Sequence, residues 1–231
     1  MSNDDAYLQK YEVLFWRYYI LLEQRVISTR NYIEFDSGNS EAFSLEYLLL
    51  HQAACNEIES VAKEISNHLN VISLSERPRI NELIYALEET FPHLEQRTVK
   101  FLRGDFSTQP FKNWVVKLNK RSSRNTPKYT LEDGSSIPSW WNDHNKVKHD
   151  RSFQSATGAY DNFKLANQNN VLCSMAALFL INRLYMQIID EDSYSYLEKS
   201  SLFALSGELD EIRSFLIYDK QGQISHMPWE P

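Results

Sequence analysis

Apolar residues recur every three or four positions through most of this chain, and that spacing is the strongest constraint on its fold. A repeat near 3.6 residues places apolar side chains on one face of an α-helix. Only 6 glycines and 7 prolines interrupt the 231 residues, which is too few for a turn-dense all-β protein. The sequence therefore predicts an all-α fold, a helical bundle with long antiparallel helices, in a single domain spanning residues 1–231.

The pattern predicts two long helices near the N-terminus, a shorter third helix and a core helix. The first helix begins at Asp5, and the second follows Ser44, a residue type that commonly caps helices. The third begins at Arg77–Pro78, since proline is tolerated in a first helical turn. The core helix spans about residues 160–189 and contains the longest apolar run, Val171–Ile181. This run has 11 residues, short of the roughly 20 that cross a bilayer, so we expect no membrane association.

Residues 98–137 interrupt the helical pattern. This segment has no sustained helical period, is punctuated by glycine and proline, and is predicted to be an irregular basic insertion with room for short strands. A compact domain rarely carries about 40 irregular residues without a reason. The insertion is therefore either a binding surface or a region whose helices and strands the sequence pattern does not reveal. After the core helix the pattern weakens, and we expect a last helix over 196–205 and a tail over 219–231.

Charge and cysteine content narrow the function classes. The chain has 24 basic and 31 acidic residues, a net charge of -7, so it is not a polycation that coats nucleic acid or anionic lipid. Cys55 and Cys173 provide neither a disulfide framework nor a paired-thiol zinc spacing. The acidic N-terminus differs from a secretory leader. We therefore expect a cytoplasmic protein without a bound metal or other cofactor.

Cations are concentrated in residues 112–151. This segment has nine Lys and Arg against four Asp and Glu, a net charge of +5, which leaves -12 for the rest of the chain. Aromatic residues are interleaved with the cations, a combination that can bind phosphates and stack bases. In the alternative interpretation, the lysines coat a solvated loop and the tryptophans fill the core. The candidate nucleic-acid-binding residues are Lys117, Lys120, Arg121, Arg124, Trp141, Lys146 and Lys148.

The residues with catalytic chemistry lie in W-W-N-D-H-N-K-V-K-H-D-R, Trp140–Arg151, within a predicted helix. Asn145 and His149 are four residues apart and therefore share one helix face. A histidine beside a basic surface can move a proton at a ribose 2′-hydroxyl or at the leaving oxygen. Arg151, Lys146 or Lys148 can hold the phosphate. In the alternative interpretation, His149 is an ordinary helix-end residue among surface ion pairs.

The run His144–His149 resembles the motif helix of the HEPN superfamily. These are small all-helical domains in which Arg, a polar residue that is often Asn, three variable residues and His form a metal-independent ribonuclease site, commonly shared across a homodimer. Asn145 and His149 match this motif, whereas His144 stands where the family has Arg. The resemblance implies that His149, Asn145, His144 and Arg151 are the catalytic residues. It also implies an RNA partner, a homodimer, endoribonuclease activity, and a role as a bacterial toxin of a toxin–antitoxin pair or in phage defence.

The chain also resembles a group of uncharacterised bacterial proteins, which implies no activity. The shared elements are P-F-x-x-W at Pro110–Trp114, W-W-x-x-x-N-K-V-K-H-D-R at Trp140–Arg151, and A-N-x-x-N-V-L at Ala166–Leu172. A different class of function stays open, a non-catalytic helical interaction module or scaffold. In that case the adjacent tryptophans and the basic loop bind a protein partner or complete the core.

Overall fold

The computed structural model describes residues 3–102, 107–119, 127–156, 161–189, 197–206, 214–218 and 224–228. The helices are α1 (Asn3–Tyr11), α2 (Arg17–Thr29), α3 (Leu45–Leu69), α4 (Ile80–Thr90), α5 (Ser139–His149), α6 (Asp161–Lys164) and α7 (Gln168–Ile189). The strands are β1 (Val99–Phe101), β2 (Ser107–Thr108), β3 (Val116–Asn119), β4 (Lys128–Leu131), β5 (Phe203–Leu205), β6 (Ser214–Tyr218) and β7 (Ile224–Pro228). The chain is therefore mostly helical, as predicted, but it is not all-α.

The two predicted N-terminal helices are present. α1 continues into α2 through a π-helical stretch, Glu12–Trp16. Ser44 caps α3, because its Oγ accepts a hydrogen bond from the Tyr47 backbone N–H at 3.0 Å. α3 ends where Asn70 adopts a left-handed conformation with φ 48°, which asparagine tolerates better than most residues. The third predicted helix is α4, which begins two residues after Pro78.

α7 is the core helix, and it packs against α1, α2, α3 and α5. It is long and apolar enough to cross a membrane by length and composition alone, but 78% of that window is buried inside the protein. The helix begins at Gln168 and not near residue 160. Asn167 explains this start, because its Oδ1 accepts a hydrogen bond from the Asn170 backbone N–H at 3.0 Å.

Short antiparallel strands occupy part of the predicted insertion. β1 lies between β2 and β5 in a three-stranded sheet, with Val99 opposite Leu205, and β3 pairs with β4 in a hairpin. The prediction of a last helix over 196–205 is wrong for residues 197–206, which are not helical and contain β5. Within the predicted tail, Ile224–Pro228 pairs with β6. The rest of that tail lies outside the described residues.

Candidate functional site

The candidate catalytic residues are carried by α5, whose inner face is locked into an aromatic core. Trp140 and Trp141 are each 2% exposed. Trp140 donates a hydrogen bond from Nε1 to the Pro110 carbonyl at 2.8 Å, and the Trp114 ring packs against both tryptophans. α5 also packs against α3 and α7. The helix is therefore held on its buried side, which fixes the direction in which its outer face points.

The outer face and C-terminal end of α5 present His149 to solvent. His149 is the last residue of the helix and is exposed, and Asn145 lies one turn before it, partly exposed. Lys148 precedes His149 in the sequence, Asp150 follows it, and Arg151 comes next; all three are exposed. The carbonyl end of a helix carries partial negative charge, so cations are favourable there. The imidazole at position 149 is thus reachable from water and lies within two residues of two cationic side chains and one carboxylate.

The candidate cations differ in whether an acidic side chain already neutralises them. Lys146 Nζ forms an ion pair with Asp143 at 2.9 Å, and the second Asp143 oxygen accepts a hydrogen bond from Asn170 at 3.0 Å. Lys117 forms an ion pair with Asp133 at 3.2 Å on the β3–β4 hairpin, which packs against α4. Lys148 and Arg151 form no ion pair with any described residue.

Two residues predicted to belong to the site, His144 and Trp141, are buried, so these two predictions are wrong. His144 is 2% exposed, and its ring packs against Trp141 and His51, with centroid distances of 5.4 and 5.7 Å. Burial lowers the pKa of His144 to about 4, and the nearby Lys148 acts in the same direction. A neutral buried imidazole cannot replace the arginine of the family motif. Trp141 cannot stack a base, because its ring lies among Trp140, Trp114 and His144.

His51 is a second buried histidine beside α5, and the sequence motifs do not indicate its place there. It lies on α3 with 0% exposure, and its Nε2 is 2.9 Å from the Trp140 carbonyl. A carbonyl only accepts hydrogen bonds, so Nε2 carries the hydrogen and Nδ1 is the acceptor. Burial lowers the pKa of His51 to about 4. No local pattern indicates the His51–His144 pair, because the two residues meet only through the packing of α3 against α5.

Three predicted RNA-binding residues, Lys120, Arg121 and Arg124, lie outside the described residues. Among the residues that the structure does describe, no group of three or more His, Cys, Asp or Glu side chains could hold a metal ion. Comparisons of the chain with protein-family models, curated proteins and solved structures found no match. The chemical capability of the site therefore follows from its own residues. His149 can exchange a proton with a bound molecule, and Lys148 and Arg151 can bind an anion.

Proposed function

We propose that this protein binds RNA at the outer face and C-terminal end of α5 and cleaves it without a metal ion. One observation carries the proposal: His149 is exposed within two residues of Lys148 and Arg151, and neither cation forms an ion pair with a described residue. Phosphates bind to cations whose charge is not already neutralised. The inner face of α5 is fixed by its tryptophans, so Lys148 and His149 are held on a rigid element, and Arg151 lies two residues beyond its end.

In the cleavage reaction, the ribose 2′-hydroxyl attacks the adjacent phosphorus and the bond from phosphorus to the 5′-oxygen breaks. A neutral imidazole takes the hydroxyl proton, and a protonated imidazole donates a proton to the leaving oxygen. A single His149 can perform only one of these transfers at a time. The homodimer that the HEPN resemblance implies would supply the second imidazole, and light scattering of the purified protein measures that oligomeric state. Asn145, one turn away, is placed to orient the imidazole or the phosphate.

Lys148 and Arg151 have the electrostatic role in this proposal. Cleavage builds negative charge on the phosphate oxygens, and fixed cations stabilise that charge. In this proposal Arg151 takes over the role of the permanent cation, which the buried His144 cannot perform. Lys146 contributes less, since it already forms an ion pair with Asp143.

The first test is incubation of purified protein with total RNA and tRNA in the presence of a metal chelator. We expect cleavage by the wild-type protein and a loss of about a hundredfold or more in rate for His149→Ala, the size typical of general acid–base catalysis. The matched control is Asn67→Ala, which replaces an exposed polar residue near the C-terminal end of α3. This variant should cleave RNA as the wild-type protein does.

Retention of cleavage in His149→Ala would contradict the catalytic role. RNA that stays intact with both wild type and His149→Ala would show that the protein is not a ribonuclease. A gel-retardation assay with RNA at low salt would then test whether the protein still binds RNA. Intact RNA together with no retardation would favour the alternative function, a non-catalytic interaction module. In that module the two tryptophans complete the core, because both are buried.

A further inference from the structure

A cleft of about 720 Å³ lies between residues 73–82, at the start of α4, and residues 127–129, at the start of β4. Ile137 completes its lining. The volume falls within the range of small-molecule sites. No residue of α5 lines the cleft, so it is separate from the candidate RNA site.

The lining of the cleft is cationic. Arg77, Arg79 and Lys128 are all exposed, and none forms an ion pair with a described residue. The carboxylate in the lining is that of Glu82, which accepts hydrogen bonds from the backbone N–H of Ser75 at 2.6 Å and from its Oγ at 2.8 Å. Three cations against one carboxylate leave a net charge of +2 for binding an anion.

The uncharged part of the cleft lining is aromatic and apolar, which favours stacking of a planar aromatic ring. Tyr129 lines it, partly buried and braced by the Tyr85 ring at a centroid distance of 5.2 Å. Leu74, Ile80 and Ile137 add apolar surface. Asn81 also lines the cleft, but its Oδ1 is buried and so out of reach of a ligand there. The ligand-binding lining therefore combines cations, one aromatic ring and apolar side chains.

We propose that this cleft binds a nucleotide. Arg77, Arg79 and Lys128 bind the phosphate, and the base stacks on Tyr129. A tyrosine face stacks any base, whereas the cations that line the cleft select a phosphorylated ligand. The nucleotide is either a free mononucleotide or one unit of an RNA strand, since both have the same chemistry. The inference goes beyond the proposed ribonuclease, because it uses none of the α5 residues.

The test is calorimetric titration of the full chain with adenosine 5′-monophosphate, with adenosine and with inorganic phosphate. The wild-type protein should bind the monophosphate more tightly than adenosine or phosphate alone. Arg77→Ala/Arg79→Ala should weaken this binding about tenfold or more, as expected for loss of hydrogen bonds from charged donors. Tyr129→Leu should weaken binding of the monophosphate but leave phosphate binding unchanged. Circular dichroism verifies that both variants remain folded.

The matched control is Lys148→Ala/Arg151→Ala, which removes the same charge from α5 and should leave binding of the monophosphate unchanged. Displacement of the monophosphate by a short RNA identifies a unit of an RNA strand as the natural ligand, and failure of RNA to compete identifies the free nucleotide. Equal binding by wild type and Arg77→Ala/Arg79→Ala, or no binding of the monophosphate and of RNA to this cleft, would overturn the inference. The two double variants affect different sites, so failure of this inference is distinguishable from failure of the proposed function.

Discussion

His144 and His149 lie five residues apart on one helix and have opposite environments. Five residues rotate side chains by about 140° around the helix axis, so the two imidazoles cannot share a face. His144 points into the core beside His51 and Trp141, whereas His149 is exposed at the helix end. Only His149 can exchange protons with a bound ligand. His144 instead contributes to the pH dependence of stability.

The buried histidine pair should make the fold sensitive to acid. The folded-state pKa of both His51 and His144 is lowered to about 4, against about 6.5 in an unfolded chain. In the unfolded chain the two histidines therefore bind protons below about pH 6.5, whereas in the folded chain they bind protons only near pH 4. This stability is complete above about pH 6.5 and is lost as the pH falls toward 4. His144→Leu should reduce the loss between pH 7 and pH 4.5 by about 2 kcal/mol, measured by urea unfolding.

The variant must be compared with wild type because other buried groups change the stability with pH in the opposite direction to the histidines. Burial raises the pKa of Glu57 and of Glu88 to about 7, so these carboxyls favour the folded state at low pH and lose that contribution as the pH rises toward 7. Their effect is common to both proteins and cancels in the difference. Parallel stability curves for wild type and His144→Leu would show that His144 is not buried in its neutral form.

At the scale of elements, a buried carboxylate holds the strand β5 in place. Glu23 on α2 is 1% exposed and accepts a hydrogen bond from Tyr19 Oη at 2.5 Å. It also accepts from the backbone N–H of Ser201 at 2.8 Å and from the hydroxyl of Ser200. These bonds fix the turn that precedes β5, and β5 then pairs with β1. The third strand of the sheet therefore depends on one side chain of a distant helix.

Replacing Glu23 with Ala should destabilise the protein by about 3–5 kcal/mol, since buried donors lose a charged acceptor. The matched control is Glu46→Ala, which removes an exposed carboxylate paired with Arg25 and should cost less than about 1 kcal/mol. Urea unfolding measures both values. Hydrogen exchange should also show faster exchange at Ser201 and Leu202 in the Glu23 variant. Equal destabilisation by the two substitutions would contradict the anchoring role.

The sequence predicted those elements that depend on neighbouring residues. Helical periodicity and the Ser44 cap were sufficient for α2 and α3, because both act within a few turns. The sequence leaves room for short strands within residues 98–137, but it does not predict their pairing, since β1 and β5 are far apart in the chain and pair only in the folded molecule. The wrong helix over 196–205 has the same cause, because the apolar spacing there carries no information about Glu23.

The candidate site was predictable to a similar degree. The spacing of Asn145 and His149 predicted a shared face, but it could not establish which face of α5 points inward. The burial of Trp141 and His144 follows from contacts with Trp114 and His51, which lie elsewhere in the sequence. The sequence does not predict the cleft proposed to bind a nucleotide for a related reason, because two separate segments of the chain build it.

At the scale of the whole molecule, the net charge of -7 repels RNA, and binding must rely on a local group of cations. The proposed contacts at α5 are few, so the affinity should be modest. Each phosphate contact with a single strand changes the slope of log K against log salt by about -0.7. Two contacts, from Lys148 and Arg151, therefore predict that their removal makes the slope shallower by about 1.4.

The most direct test of RNA binding at α5 is a titration of the protein with fluorescent single-stranded RNA at several salt concentrations. Lys148→Ala/Arg151→Ala should bind about tenfold or more weakly at low salt than wild type, with the shallower salt dependence. Lys63→Ala/Lys100→Ala, which removes the same charge from α3 and β1, should remain close to wild type. Equal affinity and equal salt slopes for wild type and the α5 variant, or the same loss in both double variants, would contradict RNA binding at α5.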